Sequence, residues 1–311
     1  MNQVTSKIIM IRPKHFNYNV ETADNNFFQK KINSVSSTDI KRKSISEFNR
    51  LVKALKRKKI TVEIFEDSED IITTDSVFPN NWFSLHKNGN FYLYPMFSKN
   101  RRKERRKDII QHIKDKYNVK QIVDLSHYEK ENKFLEGTGS MVLDRENRIC
   151  YASISERTNS EILHFFCKHL GYEPVTFKAY QKVNDSLEEI YHTNVIMSIG
   201  INYVIICLQC INSKKERKFI IDKITSTGKT LIEISEYQLN NFAGNMLQIK
   251  GGDDKFLVMS STAYSVLTEK QIKQINKFCS IIHSPLNIIE TCGGGSARCM
   301  MAEIFLPKKW V

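Results

Sequence analysis

The sequence is poor in the residues that usually separate domains, and it has no long apolar run. Among 311 residues there are 6 prolines and 12 glycines, and no Pro-, Gly- or Ser-rich stretch interrupts the chain as a linker would. We therefore expect one domain over residues 1–311. No apolar run reaches the roughly 18–20 residues that span a bilayer, and the start MNQVTSKIIM lacks the apolar stretch of a signal peptide. These absences predict a protein without a membrane partner.

Cysteine is too scattered to form a disulfide framework. The seven cysteines are odd in number, which favours reduced thiols and a cytoplasmic location. Cys207 and Cys210 form a lone CxxC inside an apolar strand, and no second pair of ligands accompanies it. The sequence therefore predicts neither a metal site nor an organic cofactor.

What the sequence does contain is a hairpin pattern that occurs five times, with starts separated by 56, 56, 51 and 49 residues. Each copy opens with small or polar residues and runs into a short apolar strand; in the first four copies a polar turn and a second strand follow. Such self-similarity indicates one structural unit stacked repeatedly, with equivalent positions facing a common axis. The copies are FPNNWFSLHKNGNFYLYPM from Phe78, FLEGTGSMVLDRENRICYA from Phe134, IYHTNVIMSIGINYVIIC from Ile190, NFAGNMLQIKGGDDKFLVM from Asn241 and ETCGGGSARCMMAEIFLP from Glu290.

Amphipathic helices and further strands fill the intervals between the hairpins. After the second hairpin, Thr158 or Asn159 is expected to cap a helix that ends at Gly171. Near the N-terminus, Ser44 or Ser46 is expected to begin a helix, and the strand ITVEIFE follows it. The opening strand KIIMIRP would pair with the last hairpin and close the ring, which leaves few exposed sheet edges. The sequence thus predicts an α/β fold of five ββαβ units in a pseudo-fivefold closed ring.

The charge balance is strongly basic, with a net charge of +13. A basic surface can bind nucleic acid through phosphate contacts. However, lysines occur along every helix, and no RNA-binding signature or aromatic stacking platform accompanies them. We therefore interpret most of this charge as a solvated surface and expect no specific nucleic-acid partner. The run KNRRKERRK from Lys99 to Lys107 is an exception, because cations at a helix start oppose the helix dipole; an anionic partner is one reason for such a run.

Several motifs together resemble one enzyme superfamily over essentially the whole chain. The hairpin cycle, YHTNV and GGGSARCM are similar to the guanidino-modifying enzymes of the pentein fold, which include arginine deiminase, dimethylarginine hydrolase, agmatine deiminase and the amidinotransferases. Within this group the sequence most resembles the citrulline-utilising hydrolase, or citrulline ureidase, branch. The motifs that carry this resemblance are RPKHFNYNVETADNNFFQ from Arg12, DSVFPNNWFS from Asp75, LEGTGSMVLDR from Leu135 and CGGGSARCMMAEIFLP from Cys292. The resemblance implies a pentein β/α-propeller.

The resemblance also implies three catalytic residues. The family's nucleophilic cysteine follows a glycine-rich turn, which corresponds to Cys299; Cys292, before the glycines, is the alternative. The family's proton-shuttling histidine corresponds to His192. Glu136 stands where related enzymes carry an acidic residue, and it is expected to orient the histidine. Backbone amides beside the glycines are suited to an oxyanion.

Two arginines match family residues that hold the α-carboxylate of the substrate. Arg157 in SERTN matches one of them and Arg102 in RRKE the other, and bidentate guanidinium geometry suits a carboxylate. Arg101, Arg105 and Arg106 are expected to be solvated.

The motif DSVFPNN departs from the dimethylarginine hydrolases, because Asn80 and Asn81 replace two carboxylates there. We assign both asparagines to substrate binding, together with Asp75 at the start of the motif. A guanidinium carries only donors and a positive charge, whereas a neutral ureido group has a carbonyl oxygen that needs a donor. An Asp against that oxygen would cost on the order of several kcal/mol unless it were protonated. The substitution therefore favours citrulline as the substrate, or an arginine dihydrolase that passes through a ureido stage, since the asparagine pattern also resembles that of the dihydrolases.

These features predict a hydrolase that converts citrulline to ornithine, CO2 and ammonia through an S-carbamoyl-cysteine intermediate. An arginine dihydrolase or deiminase, or an amidinotransferase, is the alternative within the superfamily. A non-catalytic binding protein of the same fold is a second alternative. The expected partner is a small amino-acid substrate, and the sequence leaves the oligomeric state open, a homo-oligomer included.

Overall fold

The computed structural model of the chain describes residues 2–68 and 70–309. Its strands are β1 (Lys7–Arg12), β2 (Thr61–Glu66), β3 (Phe83–Leu85), β4 (Asn90–Leu93), β5 (Gln121–Asp124), β6 (Val142–Asp144), β7 (Ile149–Ser153), β8 (Glu173–Phe177), β9 (Tyr180–Val183), β10 (Ser186–Glu189), β11 (Met197–Ile199), β12 (Tyr203–Ile206), β13 (Thr230–Glu233), β14 (Leu247–Gly251), β15 (Asp254–Ser260), β16 (Ser280–Ser284) and β17 (Ala302–Glu303). Its α-helices are α1 (Ser37–Arg57), α2 (Lys107–Lys116), α3 (Gly137–Ser140), α4 (Ser160–Leu170), α5 (Thr193–Ile196), α6 (Lys214–Ser226), α7 (Glu236–Asn240), α8 (Ser261–Val266), α9 (Glu269–Asn276) and α10 (Asn287–Gly293). Short 3-10 turns cover Pro79–Asn81, Asn100–Glu104 and Ser126–Glu131.

Three-stranded sheets repeat one pairing pattern along the chain. An antiparallel hairpin is followed by a helix and by a third strand that runs parallel to the second strand of the hairpin. This pattern occurs in β3-β4-β5, β6-β7-β8, β11-β12-β13 and β14-β15-β16. The predicted unit of hairpin, helix and strand is therefore confirmed in these repeats. The short hairpin β9-β10 lies between the second and third of them.

The first and last parts of the chain form one further sheet of the same pattern, β17-β1-β2. In it Ile8 lies opposite Glu303 in antiparallel pairing, and Lys7 lies opposite Thr61 in parallel pairing. The prediction that the opening strand pairs with the last repeat is therefore confirmed. The first strands of neighbouring sheets also meet, because Leu85 in β3 forms a bridge with Ile304 just after β17.

Helix α1 begins earlier than the sequence predicted. Its N-cap is Ser36, whose side chain accepts a hydrogen bond from the backbone N–H of Asp39. Ser44 instead lies inside the helix, where it is buried and donates to the carbonyl of Lys41. Ser46 lies inside the same helix. A serine that bonds to a carbonyl of the preceding turn is tolerated in a helix interior, as Ser44 is here.

The limits of α4 are as predicted. Asn159 is the N-cap and accepts from the backbone N–H groups of Glu161 and Ile162, and Gly171 ends the helix with φ 71°. Among the described helices, none combines the length and the apolarity that crossing a bilayer requires.

Three arginines of the basic run from Lys99 to Lys107 pair with carboxylates of the protein itself, which gives these cations partners within the chain. Arg101 binds Glu104 at 2.9 Å and Arg105 binds Glu129 at 2.5 Å, while Arg106 binds Asp108 at 2.5 Å. The prediction that these three arginines are solvated is wrong. Arg101 is 3% exposed, and the other two are half-buried. Arg106 is the N-cap of α2 and Lys107 its first residue, and the carboxylate of Asp108 in the first turn offsets their charge at this end of the helix dipole.

Candidate active site

Residues from separate repeats surround one small cavity, which has room for about 10 Å³. Asn81, His192 and Cys299 line it. Each comes from the turn that precedes the first strand of its sheet, namely β3, β11 and β17. Glu136 holds the equivalent place before α3 and β6, and it contacts His192. The stacking of similar units thus brings together four residues that are far apart in sequence.

Cys299 lies in the turn before β17 and is 4% exposed. Its sulfur accepts hydrogen bonds from the side-chain amides of Asn194 at 3.3 Å and Asn245 at 3.2 Å. Donors around a sulfur stabilise negative charge there, which suits a nucleophile. The preceding glycine turn is crowded, because a Cβ on Gly295 would lie 2.9 Å from the ring of Phe78. Glycine is therefore required for the close approach.

Cys292 lies apart from the cavity lining, in an apolar cluster with residues of α1 and β14. It is completely buried, and burial raises the pKa of its thiol to about 11. A thiol in such an environment is a poor nucleophile at neutral pH.

His192 and Glu136 form a buried pair, with 2.8 Å between His192 Nε2 and Glu136 Oε2. Burial lowers the pKa of His192 to about 4, so the imidazole is neutral at pH 7. Because the carboxylate can only accept, Nε2 carries the proton and Nδ1 remains an acceptor. Burial alone would raise the pKa of Glu136, but Arg157 and the His192 hydrogen bond hold it well below its usual range.

Arg157 lies beneath the N-terminal part of the chain and is 1% exposed. Its Nε donates to Asn25 Oδ1 at 3.0 Å and its Nη2 to the carbonyl of Thr22 at 3.3 Å. A further Nη lies 3.5 Å from Glu136, and the guanidinium lies over the ring of Tyr191 at 4.6 Å. The cavity is thus bounded by a fixed cation on this side.

The second arginine of the cavity is Arg101 instead of the predicted Arg102. Arg101 binds Glu104 through two parallel hydrogen bonds of 2.9 and 3.0 Å, and its Nη1 donates to Asn81 Oδ1 at 3.0 Å. Arg102 instead donates to the carbonyls of Met96 and Phe97 and is absent from the lining. The reason is the 3-10 turn, in which Arg101 faces Glu104 three residues later.

Of the asparagine pair, Asn81 lines the cavity and Asn80 does not. Arg101 has only donors, so the oxygen of Asn81 must face it. The Nδ2 of Asn81 is buried and has no partner. Asn80 donates to Thr138 Oγ1 at 3.2 Å. The structure therefore leaves one unused amide donor at the cavity.

Asp75, which the sequence assigns to substrate binding, lines the cavity and is 2% exposed. One oxygen accepts from Asn19 Nδ2 at 2.7 Å, and Oδ1 has no partner. Burial raises the pKa of Asp75, although the Arg101 guanidinium opposes this. Asp75 thus offers an unused acceptor.

The sequence pattern did not indicate the part played by the N-terminal segment. Thr22 and Asn26 line the cavity, and Asn26 Nδ2 donates to the carbonyl of Gly293 at 3.1 Å. Asn194 and Asn245 were missed as well. A signal for Asn245 exists, since it lies two residues before β14, as Asn81 lies two residues before β3.

Within residues 2–68 and 70–309, no group of three His, Cys, Asp or Glu side chains is arranged to hold a metal ion.

Comparison with known proteins identifies a family and a fold. The sequence matches the family described as N,N dimethylarginine dimethylhydrolase, eukaryotic, over residues 12–306. No curated protein matches the sequence.

The fold is shared with solved structures of low sequence identity. The apo structure of ArgZ, an arginine dihydrolase of the ornithine-ammonia cycle in cyanobacteria, has 18% identity and a TM-score of 0.73, over 95% of this chain and 40% of that chain. The N-terminal domain of ArgZ, in a variant covalently bound to a reaction intermediate, has 18% identity and a TM-score of 0.74, over 97% of this chain and 99% of that one. An adduct of dimethylarginine dimethylaminohydrolase with S-methyl-L-thiocitrulline has 14% identity and a TM-score of 0.62, over 96% and 99%.

The chain thus spans about two fifths of the full ArgZ chain, 40%, and nearly all of its N-terminal domain. The family match covers most of the sequence, including every residue of the cavity described above. This chain belongs to the N,N-dimethylarginine dimethylhydrolase family, within the pentein superfamily of guanidino-modifying hydrolases.

Proposed function

We propose that this protein is a cysteine hydrolase that cleaves the ureido C–N bond of L-citrulline to give ornithine, CO2 and ammonia. The observation that carries this proposal is the orientation of Asn81. Its oxygen is held by Arg101, so its unpartnered Nδ2 is the group left for a ligand. A donor at this place suits the carbonyl oxygen of a ureido group. It is unfavourable against a guanidinium, because a guanidinium also has only donors.

The remaining groups support a pose for the amino-acid end of the substrate. Arg157 is buried at the cavity and would bind the α-carboxylate. The free oxygen of Asp75 would accept from the α-ammonium group. Arg101, already paired with Glu104, would position Asn81 instead of binding the carboxylate.

The proposed reaction has two stages. Neutral His192 accepts the proton of Cys299, and the sulfur attacks the ureido carbon. The C–Nδ bond breaks, the imidazolium gives its proton to the departing δ-nitrogen, and ornithine leaves an S-carbamoyl enzyme. Water, deprotonated by His192, then attacks the carbonyl carbon and releases the thiol and carbamate, which decomposes to CO2 and ammonia. Glu136 fixes the imidazole during both stages.

Arginine is the second candidate substrate, and the likeness in fold to an arginine dihydrolase favours it. Such an enzyme would first replace an imino nitrogen by oxygen and then cleave the ureido product. The donor of Asn81 would serve only the second of these steps. Deiminase or amidinotransferase chemistry has no comparable support in the cavity.

The arrangement of the repeats supports a closed five-unit propeller in one domain over residues 1–311. The support comes from the β17-β1-β2 sheet, which joins the first and last repeats, and from contacts between first strands, such as β6 with β11 and β11 with β14. The seven free cysteines support a cytoplasmic location.

The test is substrate preference in wild type and in Asn81→Asp, measured as kcat/KM for citrulline and for arginine. Wild type should convert citrulline, with ornithine and one ammonia from the ureido nitrogen, and should turn over arginine poorly. Asn81→Asp places a second acceptor oxygen in the cavity, so citrulline kcat/KM should fall by about 10³- to 10⁴-fold relative to arginine.

Asn80→Asp is the matched control, since Asn80 lies outside the cavity. It should leave the substrate ratio unchanged. Efficient wild-type release of two ammonia per arginine would favour the dihydrolase, and an unchanged ratio in Asn81→Asp would show that Asn81 does not read the ureido oxygen.

A further inference from the structure

A second cavity, with room for about 30 Å³, lies further along the strands that follow the site. It is lined by residues of β6, β11, β14 and β17, and none of its lining residues lines the first cavity. Asn194 belongs to its wall and donates to Cys299 Sγ at 3.3 Å. One side chain therefore separates this cavity from the sulfur.

The charged residues of the second cavity are two arginines and one glutamate. Glu303 lies 2.9 Å from Arg298 Nη2 and 3.6 Å from Arg145 Nη2. In the part of the chain that the structure describes, no other carboxylate lies within 4.0 Å of either guanidinium. Both arginines are largely buried, with exposures of 4% and 8%. One positive charge is therefore left without a counter-charge beside a cavity, which is costly in a buried place.

Unused hydrogen-bonding groups lie in the same wall. The Oγ of Ser198 and the Oδ1 of Asn194 are buried and have no partner. Arg298 uses Nη1 for the carbonyl of Met301, and the Arg145 guanidinium lies over the ring of Phe305 at 4.0 Å. Buried polar groups are normally satisfied, so several unsatisfied ones at a cavity indicate a polar occupant.

We propose that the second cavity binds a small planar monoanion of the carboxylate or bicarbonate type, held by Arg145 and Arg298. Guanidinium groups match the two oxygens of such an ion through parallel hydrogen bonds. The hydroxyl of Ser198 can supply a further donor. The bound ion would supply the missing negative charge.

The site is connected to the nucleophile through hydrogen bonds. The backbone N–H of Arg298 donates to Asn245 Oδ1 at 3.1 Å, and Asn245 Nδ2 donates to Cys299 Sγ at 3.2 Å. A ligand on Arg298 therefore acts on the turn that carries the sulfur. If the anion changes the affinity for the substrate, the substrate must change the affinity for the anion by the same factor. If the proposed function holds, bicarbonate from the released carbamate is one source of the ion. A metabolite carboxylate is the other.

Isothermal titration calorimetry of the full chain with sodium formate and with sodium bicarbonate, at constant ionic strength with sodium chloride, tests the site. We expect saturable binding of the probe that weakens at least tenfold in Arg145→Gln. Arg148→Gln is the matched control, because Arg148 is exposed and outside the cavity; it should bind like wild type. Absence of binding above the chloride background would overturn the proposal, as would equal binding by Arg145→Gln.

Two further variants distinguish binding in the second cavity from binding elsewhere and from structural damage. Glu303→Gln removes the internal counter-charge and should tighten anion binding several-fold, whereas structural damage would weaken it. Arg157→Gln removes the cation proposed to bind the substrate carboxylate in the first cavity and should leave the affinity for the anion unchanged; loss of anion binding in this variant would place the anion in the first cavity and refute the proposal.

Tighter binding of bicarbonate than of formate supports the reaction product as the source of the ion, and the reverse order supports a metabolite carboxylate. Neither experiment depends on citrulline turnover.

Discussion

Two buried cysteines differ in what surrounds their sulfur atoms, and this difference separates their expected roles. Cys299 meets two amide donors at the cavity, whereas Cys292 packs in an apolar cluster. We expect Cys299→Ala to reduce turnover by roughly 10⁴-fold or more, the scale seen when a nucleophile is removed, without loss of folding. Cys292→Ala should keep most activity. Steady-state turnover with circular dichroism checks this, and a trapped substrate adduct on Cys292 in mass spectrometry would contradict it.

Arg101 depends on the geometry of its planar group as well as on its charge. It binds both oxygens of Glu104 and the oxygen of Asn81. Arg101→Lys keeps the charge but cannot make these parallel bonds. We therefore expect a loss of about 2–4 kcal/mol of transition-state stabilisation, measured as a decrease in kcat/KM. Arg102→Lys is the matched control and should change kcat/KM little, because Arg102 contacts backbone carbonyls outside the cavity. A larger loss in Arg102→Lys would favour Arg102 as the arginine that serves the substrate.

The sequence identified most of the polar residues at the cavity, but it did not choose correctly among neighbours. Cys299, His192, Glu136, Asn81 and Asp75 stand in recognisable motifs. The motif pointed to Arg102 whereas Arg101 lines the cavity, because neighbouring arginines differ only in the direction that a 3-10 turn gives them. Such a direction depends on the carboxylate three residues later, Glu104, which the motif does not include.

At the scale of elements, the start of α1 can be tested by its cap. Ser36→Ala removes the acceptor for the N–H of Asp39 and should lower the free energy of unfolding by about 1 kcal/mol. Ser46→Ala is the matched control inside the helix, and it should be neutral or slightly stabilising since alanine favours helices. Urea unfolding of both variants checks this. A larger loss in Ser46→Ala would support a helix start at that serine.

Helix ends are predictable from the sequence where a capping residue stands directly beside a clear apolar stripe. They are not predictable where the apolar stripe is weak. Asn159 and Gly171 flank a clear apolar stripe, and both limits of α4 were found. The first two turns of α1 contain only Ile40 as a buried apolar residue, so the apolar stripe in the sequence marks a helix start later than Ser37. The N-terminal segment over the cavity was beyond sequence reasoning, because its contacts with Arg157 and Gly293 are long-range.

For the whole molecule, the buried His192 predicts a loss of stability in weak acid. Its pKa is about 4 in the folded protein, against about 6.5 when unfolded, so the unfolded state takes up the proton first as pH falls. The stability that the neutral form of His192 contributes to the folded protein is fully present above pH 6.5 and is lost as the pH falls toward 4. When the pH is lowered from 7 to 5, this histidine should decrease the free energy of unfolding of wild type by about 2 kcal/mol.

The measurement compares urea unfolding of wild type and His192→Gln at the two pH values. The variant should show the smaller loss, since its side chain does not titrate, while all other groups are shared. The carboxylate of Glu136 titrates below this window and does not interfere. An equal loss in both proteins would show that His192 is protonated in the folded state.

The pairing of β1 with β17 has a consequence for the order in which the protein becomes active during synthesis. Ile8 leaves the ribosome long before its partner Glu303 has been synthesised. Pairing across such a separation is slow, because much chain entropy is lost before the contacts form. Cys299 lies just before β17, so the proposed nucleophile and this strand are synthesised together. Under the proposed function, a nascent chain therefore carries His192 and Glu136 well before it carries Cys299, and turnover begins only after β17 has been made.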